Sequence, residues 1–244
     1  MTSFEVKVLQ EGQYPSQLLQ LLGSGSLYAV GSLGLLEQPC IGLCGSRDAS
    51  PSALEWAYEF GREAARQGVV VVSGYARGVD RQAHKGAMEA GGGTIAVLPE
   101  GIQHFRVVGE LRALVNLDSN FLAVSTFEPQ AVWKAWRAMN RNKVIVGLSA
   151  GLFVIEARER GGTINAAYEC IRQHKGLWAV AYDDQLPGRE GNRRLIARSA
   201  IPLKHMDDLA PALEEAMARP PAEVRQLVLN VTGLEKDAEK EATL

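Results

Sequence analysis

Short apolar runs, each broken by a glycine-bearing loop and followed by a segment with apolar positions every three or four residues, set the rhythm of this chain. The pattern is sharpest from Val69 to Pro99. Val69 to Val72 is purely apolar, Ser73-Gly74 breaks the run, and a helical segment follows in which Val79, Ala83, Ala87 and Ala90 share one face. Gly91-Gly92-Gly93 ends that segment, and Thr94 to Leu98 forms the next run. This reads as strand, loop, helix, strand. Strands that are apolar at consecutive positions are covered on both faces, so the unit predicts an α/β fold with a parallel sheet between helices.

The same junction recurs twice. Cys40 to Cys44 runs into Gly45-Ser46-Arg47, and Ser50-Pro51 then caps a helix with Leu54, Ala57, Gly61, Ala64 and Ala65 on one side. Gly151 to Ile155 ends at Glu156 and passes through Arg158 and Arg160 to Gly161-Gly162-Thr163, which opens another helix. Further strands are expected at Phe121 to Val124 and Leu177 to Ala181, and a helix at Glu110 to Leu117. Residues 1–39, with short strand patterns around Phe4 to Val8 and Leu27 to Val30, read as a lead-in that caps the core. The main domain is expected over 40–218, closed by an alanine- and glutamate-rich helix beyond Asp207. The extension 219–244, with Pro220-Pro221 and a charged end, is expected to be partly mobile.

Composition narrows the function. With 46% hydrophobic residues, 244 residues can bury a large core. No apolar stretch reaches membrane-spanning length, and the N-terminus lacks the order of a secretory signal, so a cytoplasmic location without membrane attachment is expected. Cys40, Cys44 and Cys170 form no CxxC pair and no cluster with histidines, which disfavours disulfides and a metal site. The net charge of −2 argues against a nucleic-acid partner unless the cations gather on one face.

The junctions carry the candidate chemistry. A glycine-flanked loop feeding a helix N-terminus presents free N–H groups that suit a phosphate. Around the Ser73-Gly74 loop stand Arg77, Arg81 and Lys85, and Asp80 is spaced to hold His84 one turn on; the same spacing also describes a solvated helix face with a stiffening pair. Arg47 would serve a second cradle. There is no GxGxxG, so dinucleotide binding is disfavoured. Trp133, Trp136, Arg137, Arg141, Asn142 and Lys143 combine aromatics with cations, as a single-strand surface does, although core tryptophans with a cationic helix end would read the same. Four further arginines, Arg189, Arg193, Arg194 and Arg198, surround Gly191-Asn192. With the junctions at the carboxyl edge of one sheet, a ligand is expected there. No activated nucleophile and no metal-ligand cluster stands out, so no enzyme is expected and no cofactor is called for. A nucleotide sensor, or a hydrolase of a nucleotide's glycosidic bond using Glu156 and Glu169, is the alternative.

With these residues collected, the chain resembles the DNA processing protein A family, also called Smf, over roughly Tyr14 to Leu203. The anchors are LYAVGSLGLL, GSRDAS, SGYARGVDRQAHKGAM, TIAVLPEGI, RNKVIVGLS, VIEARERGGTINAA and GNRRLIARSAIPL. The resemblance implies an extended Rossmann-like, three-layer domain that binds single-stranded DNA at its glycine loops. It implies loading of the recombinase RecA in natural transformation, self-association as a homodimer, and no catalytic role. Carried over, Gly45, Ser46 and Arg47 hold one phosphate and Ser73, Gly74, Arg77 and Gly78 the next, with Asp80 and His84 bracing that loop. Arg141, Asn142 and Lys143 stand at the family's Arg-Asn-Arg, and Gly162 and Thr163 open the third helix. The sequence departs from the pattern at HFRVVGEL, where a Tyr-Pro and an asparagine are usual, at Lys143, which lacks the planar fork of arginine, and at Ala181-Tyr182. Counterparts of the N-terminal helical and C-terminal winged-helix domains of many members are also not recognisable.

Overall fold

The central apolar runs become buried strands because packed segments cover both of their faces. The computed structural model describes residues 4–184 and 186–219. Its strands are β1 (Lys7–Leu9), β2 (Leu27–Gly31), β3 (Cys40–Cys44), β4 (Val70–Ser73), β5 (Thr94–Val97), β6 (Phe121–Ser125), β7 (Gly151–Val154), β8 (Gly176–Val180) and β9 (Ile201–Leu203). The helices are α1 (Leu19–Leu22), α2 (Pro51–Arg66), α3 (Val79–Glu89), α4 (Ala135–Leu148), α5 (Gly162–Arg172), α6 (Glu190–Arg198) and α7 (Leu209–Ala218). One nine-stranded sheet runs β1-β2-β6-β5-β4-β3-β7-β8-β9. The pairs from β6 through β9 are parallel, and β1 and β2 join antiparallel. The lead-in contributes two strands that extend the sheet, while its Tyr14, Leu18 and Leu21 pack on the core beside α4.

Alternation along the strands splits the core into two faces. Cys40, Cys44, Val70, Val72, Ile95 and Val97 face α4, α5 and α6, whereas Ile41, Leu43, Val69 and Val71 face α2, α3 and α7. The small-residue face of α3 meets α2 through Ala83 and Ala87, while Ala90, expected on that face, is exposed beyond the helix end. The outer part of the second face is covered by the segment after β5, where Leu98, Ile102, Phe105 and Leu111 pack on Ala96, Phe121 and Ala123. The helix expected at Glu110 to Leu117 is not formed; a single 3-10 turn, Gly109–Leu111, precedes turns held by Asn116 and Asn120. Apart from Arg219, the C-terminal extension lies outside the described residues.

The central position belongs to β3. Chain order moves from β3 through β4 and β5 to β6 on one side, then crosses back to place β7 on the other. That reversal leaves a crevice at the carboxyl ends of β3 and β7, where open α/β sheets hold ligands.

Candidate nucleic-acid interface

A hollow of about 430 Å³ opens at this crevice. Three loops contribute: Gly45 to Asp48 after β3, Ala76 and Asp80 after β4, and Glu156 to Thr163 after β7. Trp133, Met139, Arg141 and Asn142 close it from the α4 side. Of the residues expected at a phosphate site, Gly45, Ser46, Arg47, Arg141, Asn142, Gly162 and Thr163 are thus brought together, with Asp80, expected to brace a loop, beside them. Arg47, Arg158 and Arg160 are exposed around the opening. Arg158 and Arg160 join the expected residues here, and two cations directly before a Gly-Gly helix opening are the sequence signal for them.

The loops are packed on one another. Val79 donates its backbone N–H to Ser46 O at 3.2 Å, and Gly78, at φ +83°, leaves no room for a Cβ, which would lie 2.5 Å from Ser46 O and 2.6 Å from Arg47 O. Gly78 thus shapes the site from behind. Ser73 is fully buried and donates its hydroxyl to Leu43 O at 2.7 Å, so it joins strands rather than facing a ligand. Arg77 is exposed and ion-paired with Asp48, which also lies 3.8 Å from Arg158. Arg81 and Lys85 pair instead with Glu110 and Glu89, away from the hollow.

Arg141 works from beneath. Only 6% exposed, it donates to Val97 O at 2.6 Å, and its guanidinium occupies the space a Cβ on Gly74 would need, 2.1 Å from Nη1. Burial lowers its affinity for a proton while the Asp80 charge holds it ionised. Burial pushes the Asp80 carboxyl upward against the pull of Arg141, and Asp80 accepts from the Ala76 N–H at 3.3 Å, bracing the β4 loop. Asn142 donates to Gly162 O at 2.9 Å and so ties α4 to the third loop. Lys143, next in sequence, projects into a neighbouring hollow rather than this one.

The expected Asp80–His84 pair is not formed. His84 Nδ1 instead contacts Thr94 Oγ1, whose hydroxyl donates to Val71 O, and the ring packs against Tyr75 and Phe121. Full burial, with Arg141 and Arg81 nearby, drives its pKa down to about 3, so it stays neutral. The i, i+4 spacing is satisfied, but α3 turns His84 into the aromatic cluster under the sheet and leaves Asp80 facing Arg141.

Glu156 is also committed. It accepts from Ser50 N at 3.1 Å and Ser50 Oγ at 2.5 Å, filling the N-terminus of α2, and lies 3.5 Å from Arg189 Nε. Arg189 is 3% exposed, donates to Ser50 Oγ and Ser52 Oγ at 2.9 and 2.6 Å, pairs with Asp184 and stacks on Tyr182 at 3.7 Å. Asn192 is buried as well, donating to Ile155 O and Val180 O and accepting from Ala157 N–H. Glu169, turned away on α5, is bound by Arg172 and Gln173. The two carboxylates proposed for a hydrolase thus border different hollows, each held by internal partners. By contrast, α5 begins on exposed Gly161 and Gly162 with no side-chain cap, so its first N–H groups border the hollow.

Both tryptophans of α4 and its approach are exposed, Trp133 by 51% and Trp136 by 54%, which removes the core reading of this pair. Cys40, Cys44 and Cys170 are buried and unbridged, with burial pushing the Cys40 thiol to about 12. Among the described residues no group of His, Cys, Asp and Glu could hold a metal, and no helix is long and apolar enough to cross a membrane.

Known proteins share this architecture. The chain is 33% identical to Protein Smf of Escherichia coli over 204 residues, covering 82% of this chain and 54% of that relative. The structure of DNA processing protein A from Streptococcus pneumoniae superposes with a TM-score of 0.75 at 25% identity, over 85% of this chain and 74% of that one. DNA processing protein A from Helicobacter pylori, whose structure describes a single-stranded DNA binding mode, also gives 0.75 at 23% identity, over 87% and 97% of the two chains. The chain spans about half the length of its E. coli relative. The family model for DNA recombination-mediator protein A matches residues 5–214, and the chain belongs to that family.

Proposed function

We propose that this chain is a non-enzymatic single-stranded DNA-binding protein that grips phosphates at the carboxyl-edge hollow and supports recombination or DNA uptake. The observation that carries the reading is the convergence of the loops after β3, β4 and β7, lined by Arg47, Arg158 and Arg160. The H. pylori relative's single-stranded DNA binding mode points the same way. The uncapped start of α5 supplies N–H donors for a phosphate, and the arginines supply charge without reading bases. Trp133 at the rim offers a stacking face. Sequence preference is therefore weak and affinity falls steeply with salt, because each neutralised phosphate releases counterions.

The absence of catalysis is part of the proposal, supported by the internal engagement of Glu156 and Glu169. So are RecA and a second copy of this chain as partners, which the family suggests, and a cytoplasmic location, which the lack of a secretory-signal pattern suggests. The test is fluorescence anisotropy with oligo-dT of increasing length at two salt concentrations, with wild type beside Arg47→Ala and Arg158→Ala. Affinity that grows with length, weakens with salt and drops in both variants supports the reading. Tight binding of a mononucleotide with no gain from a polymer would refute it.

A further inference from the structure

α4 carries a second exposed face that the carboxyl-edge hollow does not use. Trp136, Met139, Asn140 and Lys143 lie three, four and seven positions along it, the spacing of a stripe that ordinarily faces a core. Here the stripe is open, with Trp136 and Met139 exposed by 54% and 47%. Across from it α5 presents Asn165, Glu169 and Arg172, and the two helices border a hollow of about 360 Å³.

This hollow adjoins the first. Met139 lines both, and Asn142 in the first donates to Asn165 in the second at 3.2 Å. The indole of Trp136 is held in place by the edge-on ring of Phe127, centroids 5.9 Å apart, and by the Arg137 guanidinium 5.2 Å from its centroid. Its charge suits a phosphate. Lys143 is exposed and pairs with no acid among the described residues, and the Arg172 side chain is 61% exposed. The one carboxylate, Glu169, is 5% exposed and its oxygens are engaged by Arg172 and Gln173. A fixed aromatic, an adjacent amide and two outward cations are the components that hold a stacked base and its phosphate.

We propose that the α4–α5 groove is a second binding site for the same DNA strand, with a base stacked on Trp136 and a phosphate on Lys143 and Arg172. A strand leaving the first hollow then crosses α4 instead of continuing along the sheet edge. The inference rests on the reading of that first hollow as a strand-binding site.

The experiment is anisotropy with oligo-dT lengthened one nucleotide at a time, comparing wild type, Trp136→Ala, Lys143→Ala and Arg47→Ala. Both groove positions are exposed, and circular dichroism checks that the variants fold. Trp136→Ala and Lys143→Ala are expected to keep wild-type affinity for the shortest oligomer that binds and to lose the further gain with length, about tenfold for the tryptophan. Arg47→Ala is expected to weaken every length. In wild type, Trp56 and Trp178 are buried, so the shortest oligomer that binds should quench only the Trp133 share of the exposed emission. The Trp136 share, identified by its loss in Trp136→Phe, should be quenched only by oligomers that outgrow the first hollow. Groove variants that follow the wild-type curve, or that weaken all lengths equally, overturn the proposal while leaving the parent reading intact. Failure of the wild type to bind any strand overturns both. A change of oligomeric state in Trp136→Ala with unchanged DNA affinity assigns the face to a second copy and also overturns it.

Discussion

Replacing Gly78 by alanine tests whether the loops after β3 and β4 are built as one unit. Its backbone, at φ +83° and ψ −129°, lies in a region that L residues avoid, at a cost of about 1–3 kcal/mol. The new Cβ would also fall 2.5 and 2.6 Å from the carbonyl oxygens of Ser46 and Arg47. Those are backbone atoms and cannot rotate aside, so the loops must separate, at roughly the 1–3 kcal/mol of an overpacked core. Together the loss is about 2–6 kcal/mol, a large share of the roughly 5–15 kcal/mol that holds a domain folded. Gly91 supplies the control, because it has φ +81° with nothing within 4 Å of its Cβ position. Gly91→Ala should therefore cost only the backbone term. Urea unfolding gives the stability difference, and oligo-dT anisotropy reads the loop spacing, with Gly78→Ala expected to lose binding and Gly91→Ala to retain it. If the two variants are equally stable and bind alike, the loops are not packed as described.

Three further perturbations probe the charges. Asp48 pairs with Arg77 and lies 3.8 Å from Arg158, so Asp48→Asn should tighten DNA binding and steepen its salt dependence, with stability changed by less than about 1 kcal/mol, as titrations in salt and urea would record. Arg189→Met leaves Glu156 buried without its cation and should lower stability by about 3–5 kcal/mol in thermal or urea unfolding. His84 has an ordinary pKa of 6.5 when unfolded and about 3 when folded, so its contribution is complete above pH 6.5 and is lost as pH falls toward 3. The raised carboxyl of Asp80 acts in the opposite sense, gaining stability on protonation, and is common to wild type and His84→Gln. Unfolding across that window should therefore be steeper with pH in wild type than in His84→Gln, and parallel curves would refute the assignment.

The central strands were legible because they are covered on both faces: every residue of Cys40–Cys44 is buried, and no polar side chain interrupts it. The loop glycines were legible for the same reason, since a glycine directly after such a run marks a close approach. The antiparallel attachment of β2 to β6 was not, because pairing Ala29 with Val124 depends on contacts far apart in sequence that leave no local periodicity. Nor was the loss of the helix at Glu110 to Leu117. Its leucines and valine have helical spacing, but Asn116 accepts from the Asp118 N–H and Asn120 accepts from the Asn116 N–H, and these local bonds compete with the helix. Arg141 and Lys143 are two residues apart in one helix and share a motif, yet one is buried under Gly74 and the other faces solvent. A motif names both but cannot say which side of the helix the core takes.

The helix N-termini show why a net charge of −2 does not by itself rule out the proposed anion site. An N-terminus attracts negative charge whether it comes from a ligand or from the protein itself. At α2 the protein supplies its own, through Glu156, and at the β4 loop leading into α3 Asp80 accepts from Ala76. These two acids are buried beside Arg189 and Arg141, and the exposed acid of the hollow, Asp48, is paired with Arg77. At α5 there is no such carboxylate, and the two glycines leave the first turn exposed beside Arg47, Arg158 and Arg160. The sign of the whole chain is thus a poor guide to the sign of its crevice. What decides the field there is which acids the fold has already consumed.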